Sequence, residues 1–211
     1  VPHFEKMLYD NAQLISLYAN VYKCTGNLLF KQVVKQSLHF VASDFTAANG
    51  CFYAALDADS EGVEGKYYVW NERELKSLFS ESDYSLFTQF YAINDYGYWE
   101  HDNYILCSET SAKQLALAWQ LTESAVYEEK NRVDAILLNY RNTRIRPGLD
   151  TKIICSWNAL QIIALCDAHG SFEGANYLDT AIRAMAFIDS NFTKNGTKLY
   201  HIYNGGKASV A

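Results

Sequence analysis

The sequence has no excess of positive charge and no long hydrophobic run. Its 18 basic and 24 acidic side chains give a net charge of −6 over 211 residues. Proteins bind a phosphate backbone chiefly through Lys and Arg, so we do not expect nucleic acid as a partner. A membrane-spanning helix needs about 20 consecutive apolar residues. No such run occurs, so no membrane partner is expected either.

The cysteines form no pattern that indicates a disulfide framework or a zinc site. They are odd in number and include no Cys-x-x-Cys pair: Cys24, Cys51, Cys107, Cys155 and Cys166. Such spacing is typical of reduced thiols. With no secretory signal recognised in the sequence, we expect a cytoplasmic protein that carries no cofactor and no metal.

Proline is also scarce, with two residues in the chain, and this favours long uninterrupted helices. Apolar residues recur at helical spacing and predict a mainly α fold. The predicted helices cover residues 1–24, 28–48, 71–79, 83–92, 111–121, 122–144, 156–169 and 175–192. Residues 94–107 are rich in aromatics and predict a long loop, and residues 199–203 predict a short strand.

What the chain does have is an acidic segment between two aromatic ones. Residues 51–56 and 66–70 favour β structure and flank a loop that carries Asp57, Asp59, Glu61 and Glu64. This pattern predicts a β-hairpin with an acidic tip. Four like charges raise one another's pKa unless a cation, an Arg or Lys side chain, or backbone amides compensate. We therefore expect a functional loop here, with a solvated turn as the alternative.

The chain also contains an internal repeat. A shift of 147 positions aligns Phe40 with Phe187, Val41 with Ile188 and Phe45 with Phe192. Each copy has a helix, an Asn-Gly turn and a short aromatic strand, as in stacked helical hairpins. A bundle, a solenoid and a ring are the alternatives. Strands that recur at one end of each helix pair favour the arc of a double-layered helical ring, a toroid of helical hairpins with short β-hairpins at one rim, in one domain over 1–211.

Acid/base side chains occur together near the start of the predicted first helix. His3, Lys6 and Asp10 follow one helix face, and Glu5 and Tyr9 follow another. Histidine assisted by Tyr or Glu suits proton transfer next to a carbonyl. The alternative is a capped helix start with a Lys6 to Asp10 ion pair. The predicted catalytic residues are His3, Glu5, Tyr9, Asp10, Asp57 and Asp59.

Aromatic and amide side chains provide candidate contacts for a sugar. Trp70 and Trp157 could stack on a sugar ring while Asn158 bonds its hydroxyls; buried tryptophans and a turn asparagine are the alternatives. The predicted substrate-binding residues are Lys6, Glu61, Trp70, Lys152, Trp157 and Asn158. The acidic segment imitates half of a calcium loop, but Tyr68 stands where a bidentate Glu is required, so we expect no metal.

Three motifs resemble a known family. They are Pro2-His3-Phe4-Glu5-Lys6-Met7, Leu56-Asp57-Ala58-Asp59-Ser60-Glu61-Gly62, and Arg146-Pro147-Gly148-Leu149-Asp150 followed by Ser156-Trp157-Asn158. Together they resemble the YyaL family, whose animal members are the spermatogenesis-associated thioredoxin-domain proteins. The resemblance implies a longer protein in which a thioredoxin-like domain precedes an (α/α)6 barrel similar to N-acylglucosamine 2-epimerases and six-hairpin glycosidases. It implies that this chain holds part of the barrel and lacks the thioredoxin-like domain.

The resemblance further implies a carbohydrate-active domain that works by epimerase-like or glycosidase-like acid/base chemistry. The epimerases use a pair of histidines, of which only His3 falls in a motif here. The alternative is a non-catalytic module that presents a substrate or partner to the thioredoxin-like domain. Expected partners are therefore a small sugar, that domain in the full-length chain, and a second copy, because an incomplete ring leaves apolar helix faces uncovered.

Overall fold

The computed structural model describes residues 4–172, 176–194, 196 and 198–210. The chain forms two compact units. Unit 1 comprises Val1–Asp57 and Gly148–Ala211, and unit 2 comprises Ala58–Pro147. The prediction of one domain within a larger barrel stays a prediction.

The architecture is mainly helical with short antiparallel strand pairs, as predicted. In chain order the helices are α1 (Leu8–Thr25), α2 (Leu28–Phe40), α3 (Glu72–Leu78), α4 (Glu81–Phe90), α5 (Ala112–Trp119), α6 (Glu123–Arg141), α7 (Cys155–His169) and α8 (Tyr177–Phe192). A π-helical turn, Val41–Phe45, continues α2. Among the described residues, no helix is both long and apolar enough to cross a membrane.

The strands are short and pair within each unit. They are β1 (Lys6–Met7), β2 (Ala55–Leu56), β3 (Asp59–Ser60), β4 (Val63–Glu64), β5 (Trp70–Asn71), β6 (Asn103–Tyr104), β7 (Leu149–Asp150), β8 (Ile153–Ile154), β9 (Thr193–Lys194), β10 (Lys198–Leu199), β11 (Ile202–Asn204) and β12 (Lys207–Ser209). Unit 1 holds the sheets β1-β2-β7, β8-β11-β12 and β9-β10, and unit 2 holds the pairs β3-β4 and β5-β6.

Several helices begin where a side chain caps them. Asn71 accepts a hydrogen bond from the amide of Glu74, and Ser80 and Thr122 cap α4 and α6 in the same way. Ser111 and Gln114 form a reciprocal capping box at α5. These side chains satisfy amides that the first turn of a helix leaves unpaired.

The predicted start of the first helix is wrong. Lys6 and Met7 are extended and pair with Leu56 and Ala55, so α1 begins at Leu8. The helical spacing assumed for Lys6 with Asp10, and for Glu5 with Tyr9, therefore does not exist. His3, the third member of the predicted cluster, lies outside the described residues.

The predicted acidic hairpin is also wrong in its pairing. β2 pairs with β1 and β7 instead of residues 66–70. A smaller hairpin, β3-β4, lies within the acidic segment and turns at Glu61 (φ 54°) and Gly62 (φ 75°). Two successive positive φ angles define the two-residue turn that matches the twist of paired strands. Trp70 pairs instead with Tyr104, in β5-β6.

The 147-residue repeat is present in the hydrogen bonds of unit 1. β1-β2 and β8-β11 have the same register at this shift. Two backbone hydrogen bonds recur as well: Tyr53 N to Phe45 O and Tyr200 N to Phe192 O at 2.8 Å, and Leu8 N to Ala54 O and Cys155 N to His201 O at 2.9 Å. Helix α7 therefore repeats α1, and α8 repeats α2.

Each unit has its own hydrophobic core. In unit 1, helices α1, α2, α7 and α8 bury residues such as Leu8, Val34, Phe45 and Phe192. In unit 2, helices α3 to α6 bury residues such as Leu75, Phe87, Val126 and Val133. The strand pairs of unit 2, the start of α3 and the segment after α6 line the cavity described next.

Candidate functional site

Unit 2 contains a cavity of about 570 Å³. The acidic hairpin β3-β4, the start of α3, the turn between Trp99 and Asn103, and residues 143–145 line it. Its size falls in the range typical of small-molecule sites. Its charged groups are Glu61, Glu64, Glu74, Glu100, Lys66 and Arg144.

The hairpin β3-β4 forms one wall. Asp59 lies opposite Glu64, and the turn places Glu61 where Lys66 reaches it, with Nζ and carboxylate oxygen 2.7 Å apart. Both side chains are exposed, so this ion pair contributes little to stability. It places a lysine against one of the four carboxylates of the acidic segment.

Arg144 forms another part of the cavity lining. Its Nη1 donates to the carbonyls of Tyr67 (2.9 Å) and Val69 (2.8 Å), and its Nη2 lies 2.8 Å from the Glu74 carboxylate. The guanidinium also lies over the Trp70 ring, 4.1 Å from its centroid. Arg144 and Glu74 are both mostly buried. A planar guanidinium with this many partners is fixed in place, so it acts as scaffold for the cavity.

The tight turn between Trp99 and Asn103 carries the other side chains that line the cavity. The Trp99 amide donates to Asn103 O, and Asn103 Nδ2 donates to the carbonyls of Glu100 (3.0 Å) and His101 (3.3 Å). His101 (φ 50°) and Asp102 (φ 59°) adopt the left-handed conformation, which is uncommon for residues other than glycine. The β5-β6 pair holds this turn beside the hairpin and so brings Trp99, Glu100 and His101 to the cavity.

The cavity has an acidic balance. Its four glutamates outnumber its one lysine and one arginine, and both cations already contact a glutamate, Glu61 or Glu74. Within the described part of the chain, Glu64 and Glu100 have no ion-pair partner. The arrangement therefore favours a neutral or positively charged guest over an anion.

The residues predicted from the sequence fall in both units. In unit 2, Glu61 lines the cavity, whereas Asp59 is exposed on β3 and Trp70 is 3% exposed. Trp70 packs against Tyr140 beneath Arg144, so its ring has no open face for a sugar. Trp70 is therefore a buried tryptophan, which was the alternative to sugar stacking.

Unit 1 holds most of the other predicted residues, in structural roles. Asn158 is fully buried: its Oδ1 accepts from Phe52 N (2.8 Å), and its Nδ2 donates to Phe52 O (2.9 Å) and Ile154 O (3.1 Å). The rings of Tyr9 and Trp157 pack at 4.8 Å. These three side chains join α1, α7 and the segment before β2.

The sheet β1-β2-β7 places Lys6 opposite Leu56, next to Asp57, and places Asp150 opposite Ala55. Lys6 donates to the carbonyl of Phe4 (2.9 Å), and Lys152 pairs with Asp150 (2.9 Å). Glu5, Asp10 and Asp57 are exposed. Within the described residues, no group of three or more His, Cys, Asp or Glu side chains is arranged to hold a metal ion.

The residues that the sequence reasoning missed are Trp99, Glu100, His101 and Arg144. The aromatic loop at 94–107 and the acidic segment were each recognisable, but they are separated by some forty positions. The strand pair Trp70–Asn71 with Asn103–Tyr104 brings the two segments together. The sequence signal for this pair is that both strands are short, aromatic and β-favouring.

Comparison with known proteins confirms the family resemblance predicted from the motifs. The chain is 31% identical to an uncharacterized protein of Caenorhabditis elegans over its whole length. It is 32% identical to human spermatogenesis-associated protein 20 over 77% of its length, and 30% identical to the rat protein over 85%. The chain spans 24% to 32% of the length of these relatives. No family model matches the chain.

The chain also has a distant similarity to a solved structure. Cellobiose 2-epimerase from Spirochaeta thermophila is matched over 99% of this chain and 65% of that chain, with 15% sequence identity and a TM-score of 0.29.

Proposed function

From the premise that this chain is related to spermatogenesis-associated protein 20, we propose that unit 2 binds a neutral or amino sugar in its cavity. The observation that carries the proposal is the composition of that cavity. It combines the aromatic ring of Trp99 with the carboxylates of Glu64 and Glu100, which form no ion pair within the described part of the chain.

Each part suits a hydroxyl-rich ligand. A carboxylate accepts hydrogen bonds from hydroxyl groups, and the apolar face of a sugar ring packs on an aromatic side chain. The volume of about 570 Å³ accommodates a small saccharide. The acidic balance disfavours a phosphorylated sugar, because the phosphate would face like charges.

We further propose that Glu64 and Glu100 act on the bound sugar as an acid/base pair. Glycoside hydrolysis needs one protonated and one ionised carboxyl group on opposite sides of the scissile bond. The two glutamates belong to different walls of the cavity, the hairpin and the 99–103 turn. Glu64→Gln and Glu100→Gln should each lower kcat on an aryl glycoside by about 10² to 10⁴ while changing KM little.

Titration calorimetry with neutral, amino and phosphorylated mono- and disaccharides tests the binding proposal. We expect a neutral or amino sugar to bind, and Trp99→Ala to weaken its Kd at least ~10-fold, about 1.4 kcal/mol. Tyr96→Ala is the matched control, since Tyr96 is an exposed aromatic of the same loop that does not line the cavity. If no sugar of the panel binds, or if both variants lose the same affinity, sugar binding in this cavity is refuted.

The second function predicted from the sequence, a non-catalytic module that works with a thioredoxin-like domain, stays a prediction. Sugar binding without turnover of any glycoside would favour it over hydrolysis.

A further inference from the structure

We propose that unit 2 is a self-contained binding module inserted into a β-hairpin of unit 1, at a place where the second repeat has only a two-residue turn. The binding role of the module rests on the proposed function. Its insertion and its independence rest on the strand pairing of the two repeats and on where the core and the cavity lie.

The two repeats of unit 1 each end in a pair of antiparallel strands with the same register. In the first repeat β2 pairs with β7, and Ala55 lies opposite Asp150. In the second repeat β11 pairs with β12, and Ile202 lies opposite Ser209. The 147-residue shift aligns Ala55 with Ile202, so Asp150 is the equivalent of Ser209. Strands β7 and β12 therefore occupy the same place beside their partners.

The two hairpins differ in what joins their strands. In the second repeat Asn204 pairs with Lys207 across the turn Gly205-Gly206, whose φ angles of 56° and 84° suit a two-residue hairpin turn. In the first repeat the Asp57 amide donates to the Gly148 carbonyl at 2.8 Å. These two residues correspond to Asn204 and Lys207. Between them the chain has the 90 residues of unit 2 in place of two glycines.

The two ends of unit 2 also lie close together. Ser60 Oγ donates to the Ile145 carbonyl at 2.5 Å, and each residue lies two positions inside the limits of the unit. Domains whose ends are close together are the ones that tolerate insertion into a loop of another domain. Unit 2 meets this condition, and its length is within the range of single domains.

Unit 2 holds a complete core and a complete cavity. Its buried core residues lie between Trp70 and Leu137, and among the described residues none of them belongs to the core of unit 1. Every residue that lines the cavity lies between Ser60 and Ile145. The cavity therefore depends on the folding of unit 2 and not on that of unit 1.

Hydrogen exchange measured by mass spectrometry on the whole chain tests the proposal. Leu75 in α3 and Leu8 in α1 are both fully buried, one in each core. Leu75→Ala should speed exchange at least ~30-fold in the amides of α3 to α6 that exchange by unfolding, because it leaves a cavity in that core. The same variant should change exchange in α1, α2, α7 and α8 by less than about 2-fold.

Leu8→Ala is the matched variant for unit 1. It should speed exchange by a similar factor in α1, α2, α7 and α8. The segments that line the cavity, residues 60–71, 99–103 and 143–145, should exchange as in the wild type. If either variant speeds exchange equally in both units, the units unfold as one and the proposal is overturned.

Linkers at the two junctions give a second test on the whole chain. Gly-Ser-Gly is inserted after Asp57 and again before Gly148. Both units should keep their exchange protection within about 2-fold of the wild type, since added length between independent units costs little. The control places the same tripeptide in the middle of α6, after Ala135, and should remove protection from α3 to α6 alone.

Loss of protection in either unit on insertion of the linkers would overturn the proposal. So would a control insertion that also removed the protection of α1, α2, α7 and α8. Neither experiment uses a sugar, so a failure of this proposal is distinguishable from a failure of sugar binding by unit 2.

Discussion

At the scale of single residues, Gln161 is the least satisfied side chain of unit 1. It is fully buried, and both atoms of its amide have no hydrogen-bond partner among the described residues. Leaving buried polar groups unpaired costs about 1–3 kcal/mol. The repeat equivalent of this position is Leu14, which indicates that the helix itself tolerates leucine there.

We therefore predict that Gln161→Leu raises the free energy of unfolding by about 1–3 kcal/mol. Chemical denaturation measures it. Gln13→Leu, at an exposed position of α1, is the control and should change stability by less than about 0.5 kcal/mol. A destabilised Gln161→Leu would mean that the amide has partners in solution that offset its burial.

Cys51 shows a second effect of burial on a single residue. Burial, and to a lesser degree the neighbouring Cys155, raises the pKa of its thiol from 9.0 to about 12. Its thiolate is the reactive form, so the folded thiol is protected. Because the folded pKa lies above the unfolded value, the contribution of Cys51 to stability is intact below pH 9 and is lost as the pH rises towards 12.

Alkylation followed by mass spectrometry checks this expectation. At pH 8 the exposed Cys24 and Cys166 should react quickly, while Cys51 should react only after denaturant is added. Labelling of Cys51 in the native protein at the rate of Cys24 would contradict its assigned burial.

At the scale of elements, local chemistry predicted helix boundaries better than strand pairing. The cap at Asn71 and the helix after Ser111 follow from side chains within a few positions. The start of α1 does not, because Lys6 and Met7 pair with residues some fifty positions further along the chain. The short apolar run 51–56 likewise contained no signal that its partners would be β1 and β7.

Asn158 illustrates how one side chain joins elements. Two of its three hydrogen bonds fasten α7 to the backbone at Phe52, and the third goes to the Ile154 carbonyl at the start of α7. We predict that Asn158→Ala lowers the free energy of unfolding by about 2–4 kcal/mol, since it leaves buried backbone groups unpaired. Denaturation of dilute protein measures the loss.

The matched control for this change is Asn11→Ala, which removes one intrahelical hydrogen bond at the repeat-equivalent position. It should cost less than about 1 kcal/mol. Equal losses in the two variants would show that the bonds to Phe52 contribute nothing beyond the helix itself.

At the scale of the whole molecule, the sequence predicted the mainly helical class, the repeat and the family, but of the groups that line the candidate site it indicated only Glu61 and Glu64 of the acidic segment. Motif residues such as Asn158 and Trp157 instead support unit 1, since buried and catalytic asparagines or tryptophans look alike in a sequence. The cavity depends on Trp99, Glu100 and Arg144, which come together only when β5 pairs with β6.

The central claim is that the acidic cavity of unit 2 takes an uncharged or amino sugar. The most direct test is calorimetric titration of the wild-type chain with one sugar in its neutral and its phosphorylated form. We predict binding of the neutral sugar and at least ~10-fold weaker binding of the phosphorylated one, because Glu64 and Glu100 face the guest. Tighter binding of the phosphorylated form would contradict the claim, and so would a failure of both forms to bind.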